Sequence, residues 1–326
     1  MEKWIDTHAH YNHGKFKKQG RNILEQQTEF VSCVIQVGTN AKSNLETLQL
    51  VSLYDFVRGI IGYFPTDTWE LEQEYCSDAD ANWIVLDKQL TNDKIVGVGE
   101  IGLDYNWNRL ANGVEGEKAR FIQQKWFRNQ IDLARKYDLP ICIHSREAAE
   151  DTLRIFNEYD ALSGVIHCYS YDADFARKVL DKGLYLGVGG TSTYPSNKMV
   201  RDAIKICPMD RILLETDAPY LSPQPVRREV NQSKYIQYVI ANIAEIKGVS
   251  PEFVIEQTNK NAKEVFLASL DEQGELFIQT KQKKGGMNKG EGLFLQWFYR
   301  LLLVVIAMKV LNLLLCQMLH LPIALK

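Results

Sequence analysis

His8 and His10 stand two residues apart behind a short apolar lead-in, Trp4-Ile5. On a strand, residues at i and i+2 face the same side, so both imidazoles can reach one point in space. A pair of imidazoles meeting at a point is what a divalent metal ion takes. The same kinds of group close other strand-like runs: Glu100 after 95–99, His144 after 140–143, His167 after 164–166 and Asp217 after 211–216. Four of the six histidines therefore follow apolar runs. One such histidine is more often a hydrogen-bonded structural residue; four are hard to explain that way.

Imidazoles mixed with carboxylates suit Zn²⁺, Mn²⁺ or Fe²⁺, whereas Mg²⁺ prefers all-oxygen shells. His8, His10, Glu100, His144, His167 and Asp217 exceed what one four-coordinate ion uses. They would serve two ions about 3.5–4 Å apart with one carboxylate between them. Glu100 is the expected bridge, because its strand lies between the two groups in the chain. His13 and His320 are expected not to ligate, and Cys142 to fill the interior as a small apolar residue.

Strands at 3–7, 33–37, 57–63, 95–100, 140–144, 164–167, 184–188 and 211–216 would position these groups. Helix-period segments such as 118–137 and 146–158 lie between them. That alternation reads as βαβ units and a parallel sheet. Eight units fit an α/β fold of the (β/α)₈ TIM-barrel type, in which strand C-termini converge on one face. A doubly wound open sheet fits less well, since no Gly-rich turn follows the first strand. Helices are expected at 233–245 and 251–267, the second with Ser250 as N-cap and Pro251 in its first turn.

The 326 residues carry a net charge of −3, which excludes a globally basic nucleic-acid-binding skin and leaves local patches. The six cysteines form no CxxC pair, which points to reduced thiols in the cytoplasm rather than a disulfide framework. Met1-Glu2-Lys3 leads straight into a strand, without the look of a signal peptide. The chain divides into 1–268 as the barrel, 269–292 as a linker and 293–326 as a hydrophobic helical tail. In that tail, fifteen of the twenty-three residues at 293–315 are Leu, Ile, Val or Phe. Their insertion gain of roughly 5–9 kcal/mol is set against roughly 5–7 for Arg300 and Lys309. Membrane association, packing against the barrel or a partner protein, and an accessory role stay open for it.

Five blocks occur in order: Asp6-Thr7-His8-Ala9-His10, Gly99-Glu100-Ile101-Gly102-Leu103-Asp104-Tyr105, His144-Ser145-Arg146-Glu147-Ala148, His167-Cys168-Tyr169-Ser170 and Leu214-Glu215-Thr216-Asp217-Ala218-Pro219-Tyr220-Leu221. Together they resemble the TatD family of metal-dependent DNases, within the amidohydrolase-like barrels, over residues 1 to about 268. The resemblance implies two divalent ions (Mg, Mn, Zn or Fe) and hydrolysis of phosphodiester bonds by a metal-activated water. It implies one metal site at His8, His10 and Asp217, another at His144 and His167, and Glu100 shared between them. It gives Asp217 a part in orienting or deprotonating the water, and makes Arg146 a phosphate or supporting contact. Arg227 and Asn231 match the family's loop after the eighth strand.

The departures bear on substrate. The family's Gly-x-His-Pro is here Gly62-Tyr63-Phe64-Pro65, so Phe64 stands where an imidazole is expected near the phosphate. Arg228 replaces a glycine, Pro195 a commonly basic residue, and 108–117 looks longer than usual. Arg146, Arg227 and Arg228 are the candidates for backbone phosphates, and Tyr63, Phe64, Trp107 and Tyr220 for stacking on bases of single-stranded DNA or RNA. A deoxyribonuclease or 3′-5′ exonuclease is the expected activity. An ester or amide hydrolase acting, for example, on acylated tRNA is the alternative, followed by a weakly active membrane-tethered binding protein.

Overall fold

The computed structural model describes residues 2–267, apart from 17, 74–75, 107–112 and the side chains of 73–81. Eight parallel strands pair in sequence order: β1 (Trp4–Ala9), β2 (Val31–Val37), β3 (Val57–Ile61), β4 (Ile95–Asp104), β5 (Ile141–Arg146), β6 (Gly164–Ile166), β7 (Tyr185–Val188) and β8 (Ile212–Leu214). The ring closes just past β8, where Ala218 pairs with Ala9 in parallel. There His10 N–H donates to Ala218 O at 2.7 Å and Asp217 N–H to His8 O at 2.9 Å. Helices α1 (Gly20–Gln26), α2 (Ala41–Leu53), α3 (Asp67–Gln73), α4 (Cys76–Gln89), α5 (Gly113–Tyr137), α6 (Ala149–Phe156), α7 (Ala173–Asp181) and α8 (Lys198–Ile206) make the crossovers. Two more, α9 (Ile236–Lys247) and α10 (Pro251–Phe266), follow β8.

The strands are buried on both faces, as their near-continuous apolar runs require. Alternation sorts the side chains into two layers. Cys33, Ile35 and Val37 join Ile5, Ile60, Cys142, Val165 and Leu213 in one cluster, which Phe266 at the end of α10 and Leu267 just after it complete. Val34, Ile61, Val98 and Ile143 belong to the layer between strands and helices. Ser250 accepts a hydrogen bond from Phe253 N–H at the start of α10, where Pro251 occupies the first turn. Gly248, in the left-handed region at φ 66°, ends α9.

Strand ends differ from the sequence expectation in two places that matter. β4 continues four residues past Glu100 to Asp104, so the carboxylate projects from within the strand. β8 stops at Leu214, and Asp217 lies in the connection after it at φ 58°. Aspartate tolerates that left-handed conformation better than most residues. Gly102 sits on β4 opposite His144 of β5, where a Cβ would come within 2.0 Å of the His144 carbonyl oxygen. Only glycine lets the two strands approach that closely at φ 134°.

The expectation of an added hydrophobic helical tail needs correction, and with it membrane association through that tail. Among the described residues no helix is long and apolar enough to cross a membrane. The one of sufficient length, α5, carries Lys118, Arg120, Lys125, Arg128 and Asp132 around its surface. The linker and tail expected at 269–292 and 293–326 lie outside the described residues. In the sequence the cost of Arg300 and Lys309 offsets most of the insertion gain of that apolar run.

Candidate metal centre

β1 brings His8 and His10 to the mouth of the barrel with their Nε2 atoms 3.1 Å apart. Asp217 Oδ1 lies 3.7 Å from His8 Nε2 and 3.4 Å from His10 Nε2. Glu100 Oε2 lies 3.5 and 3.7 Å from the same two nitrogens. Donors about 2.0–2.3 Å from a tetrahedral ion are roughly 3.3–3.7 Å from one another. The two imidazole nitrogens lie 3.1 Å from each other and 3.4–3.7 Å from each carboxylate oxygen, close to that spacing.

The second carboxylate oxygen of Glu100 faces the other way. Oε1 is 3.0 Å from His144 Nδ1 and 2.8 Å from His167 Nε2, and those two nitrogens are 3.3 Å apart. Three protein donors leave a coordination position for water or substrate. The donor atoms thus gather into two clusters suited to two divalent ions, His8 with His10 and Asp217, and His8 with Glu100 and His167; His144 Nδ1 adjoins the second through Glu100 and His167. The six sequence candidates His8, His10, Glu100, His144, His167 and Asp217 all meet here, from β1, β4, β5 and the connections after β1, β6 and β8.

Contacts on the far side of the His8 and His10 rings fix Nε2 as the inward atom of each. His10 Nδ1 donates to the Val37 carbonyl at 2.9 Å, which leaves Nε2 as the acceptor. His8 Nδ1 faces Cys142 Sγ at 3.3 Å, and its ring stacks on His167 with centroids 4.0 Å apart. Burial, reinforced by His167, pushes the His8 imidazole down to about 4, so it is neutral at pH 7. Burial is also the largest influence on Glu100 and would raise its carboxyl. His167 and the hydrogen bonds from His144, His167 and His8 prevail and hold it well below the usual carboxylate range. Asp217 is lowered in the same way, its burial outweighed by His10, His8 and His167. For His144 burial opposes the charge, but Asp104 and Glu100 lift the ring to about 9.

Three carboxylates that the residue-by-residue reading gave no role support these groups. Asp104 Oδ2 is 3.2 Å from His144 Nε2. Asp104 lies four residues after Glu100 on one strand, hence on the same face, and that alternation was the available signal. Asp6 is fully buried and accepts from His8 N–H, Thr216 N–H, Thr216 Oγ1 and Ser233 Oγ at 2.6–3.2 Å. It ties the end of β1 to the segment after β8. Glu215 Oε1 accepts from Cys168 N–H at 2.6 Å and lies 3.9 Å from His167 Nδ1; burial pushes its carboxyl up to about 8.

The remaining candidates scatter around the mouth. Phe64 sets its ring edge-on against His144, centroids 4.6 Å apart. Arg146, Arg227 and Arg228 are exposed, and Arg227 lies over the Tyr194 ring at 4.2 Å. Tyr220 OH bonds His13 Nε2 at 2.7 Å, and Lys15 Nζ lies over its ring. Asn231 is buried and donates to the Thr216 and Tyr220 carbonyls, so it braces the loop. Tyr63 is 1% exposed and packs against Trp126, which removes it from the stacking candidates. Trp107 and His320 lie outside the described residues, as do 108–112. Cys142 belongs to the interior cluster, and Cys33, Cys142, Cys168 and Cys207 are free thiols.

Comparison with known proteins agrees with this centre. The family described as TatD related DNase matches residues 5–267. The metal-dependent hydrolase YabD of Bacillus subtilis (strain 168) is 35% identical over 266 residues, covering 80% of this chain and 98% of YabD. The crystal structure of the TatD homologue YJJV from Escherichia coli K12 superposes with a TM-score of 0.71 at 28% identity, covering 81% of this chain and 97% of that one. A hydrolase of the TatD family from Entamoeba histolytica shares the fold at 22% identity, with a TM-score of 0.70 and coverage of 81% and 98%. The chain belongs to the family of TatD-related DNases and is a divalent-metal-dependent hydrolase of that type.

Proposed function

We propose that the chain hydrolyses phosphodiester bonds in single-stranded nucleic acid, as a deoxyribonuclease working from a 3′ end. The observation that carries this is the splitting of Glu100, one oxygen toward His8 and His10 and the other toward His144 and His167. In this reading His8, His10, Asp217 and Glu100 would hold one ion, and His144, His167 and Glu100 the other. Two divalent ions bound there would lower the pKa of a water and neutralise charge on a phosphoryl oxygen, the requirement of phosphodiester cleavage.

The chain's own residues do the rest. Asp217 is the more exposed of the two central carboxylates and is kept ionised, so it orients the attacking water and accepts its proton. Arg146, Arg227 and Arg228 bind backbone phosphates from the exposed rim, with Arg227 preset by its contact with Tyr194. Phe64 covers one side of His144 and excludes water there without donating a proton. Turnover on labelled single-stranded DNA, RNA and a panel of carboxylic esters, each with Mn²⁺ and with Mg²⁺, tests the reading. Cleavage of DNA from the 3′ end supports it, and preference for the esters would replace it with the ester-hydrolase alternative.

A further inference from the structure

Lys15 Nζ lies 3.8 Å from the centre of the Tyr220 ring, close enough for a cation–π contact. Short stretches of backbone tie this pair to the mouth. Tyr220 N–H donates to the Asp217 carbonyl at 2.8 Å, and His13 N–H to the His10 carbonyl at 3.0 Å. His13 joins the two partners: its Nδ1 accepts from Lys15 N–H at 3.1 Å, and its Nε2 stands 2.7 Å from the Tyr220 hydroxyl oxygen. A backbone N–H can only donate, so the Nε2 side of the ring donates to Tyr220. Among the described residues nothing accepts from the Tyr220 O–H itself. Lys15 covers a face of the ring and His13 meets it at 5.1 Å between centroids, so what Tyr220 offers a ligand beside Lys15 is its hydroxyl.

Lys15 is exposed, and among the described residues no carboxylate pairs with it. An ammonium without a counter-ion beside a hydroxyl donor is a donor set for a phosphate oxygen. Lys18 and Arg21 continue the positive rim beyond His13, around an open cavity of about 330 Å³ in which Glu46 is the acidic group.

We propose that Lys15 and Tyr220 bind the internucleotide phosphate next to the one being cleaved. The identity of this ligand rests on the reading of the chain as a nuclease. A single strand carries a phosphate at every nucleotide, so fixing the scissile one at the centre brings a neighbour to the rim. The pair holds substrate and takes no part in the chemistry, so it acts on KM and on salt dependence. A substrate with a single phosphate gains nothing from it.

Two probes on the full chain separate this role from a structural one. Bis(p-nitrophenyl) phosphate is a diester with one phosphate, and a fluorescein-labelled single-stranded DNA has many. Losing one phosphate contact from a single strand lowers the salt slope by about 0.7, or about fivefold in affinity at 0.1 M salt. With Mn²⁺, Lys15→Gln should therefore raise KM for the DNA about fivefold and leave kcat and the small diester at native values. Fluorescence anisotropy of the same strand with phosphorothioate linkages, which resist cutting, should show the lowered slope, and Lys15→Arg should restore it. Tyr220→Phe keeps the ring beneath Lys15 and should raise KM for the DNA about three- to tenfold at native slope. A native slope in Lys15→Gln, or an equal loss on both probes in either variant, overturns the proposal and spares the nuclease reading. A native chain that binds the strand with the expected Lys15 dependence and does not cut DNA supports the phosphate site and refutes the nuclease reading alone. A native chain that does not bind the strand overturns the proposal.

Discussion

Glu100→Gln removes a charge and one of two acceptor oxygens with almost no change of shape. The four nitrogens around Glu100 lie 2.8–3.7 Å from its oxygens. At an effective dielectric constant of about 20, a unit charge facing a unit positive charge at that spacing gains about 4.5–6 kcal/mol. Desolvating a carboxylate in a site that is almost fully buried returns roughly half of this. The net loss is then about 2–3 kcal/mol, or roughly 30- to 150-fold in the affinity of one ion. The amide can still offer its oxygen to one histidine pair, so the other pair bears the loss and faces an N–H donor. Titrating metal-stripped protein with Mn²⁺ should therefore show one binding step retained and one weakened, with hydrolysis falling at least as far. Glu115→Gln, at an exposed carboxylate on α5, is the control and should change neither. Two binding steps of native affinity in Glu100→Gln would refute the shared carboxylate.

Other substitutions read other parts of the site. Phe64→His places an imidazole beside His144 and should raise single-turnover cleavage of an oligonucleotide at saturating Mn²⁺ at least about tenfold; no gain means that Phe64 does not stand in for a proton donor. Arg227→Ala should weaken binding of every oligonucleotide tested and lower the slope of affinity against salt by about one, and an unchanged slope places Arg227 outside the groove. Gly102→Ala should lower the thermal midpoint even without metal, because its Cβ would lie 2.0 Å from the His144 carbonyl; a native midpoint would show that β4 and β5 can separate at no cost.

What could be read from the chain without a fold was set by local periodicity. Apolar runs of strand length punctuated by helical segments declare a parallel α/β sheet, since both faces of each strand must be apolar there, and eight of them fit a barrel. His8 and His10 share a face because strand side chains repeat every two residues, and the other ligands follow runs that a barrel gathers at one mouth. Tertiary structure decided everything that depends on partners far apart in sequence. Asp104 meets a ring forty residues away, and Asp6 accepts from Thr216 and Ser233 more than two hundred residues away. No local pattern distinguishes such a carboxylate from one that caps a turn. The fate of the aromatics was equally hidden: adjacent in sequence, Tyr63 is sealed against Trp126 while Phe64 faces His144. Adjacent side chains leaving an extended backbone point in opposite directions, and only the closed ring determines which of them meets solvent and which meets the core.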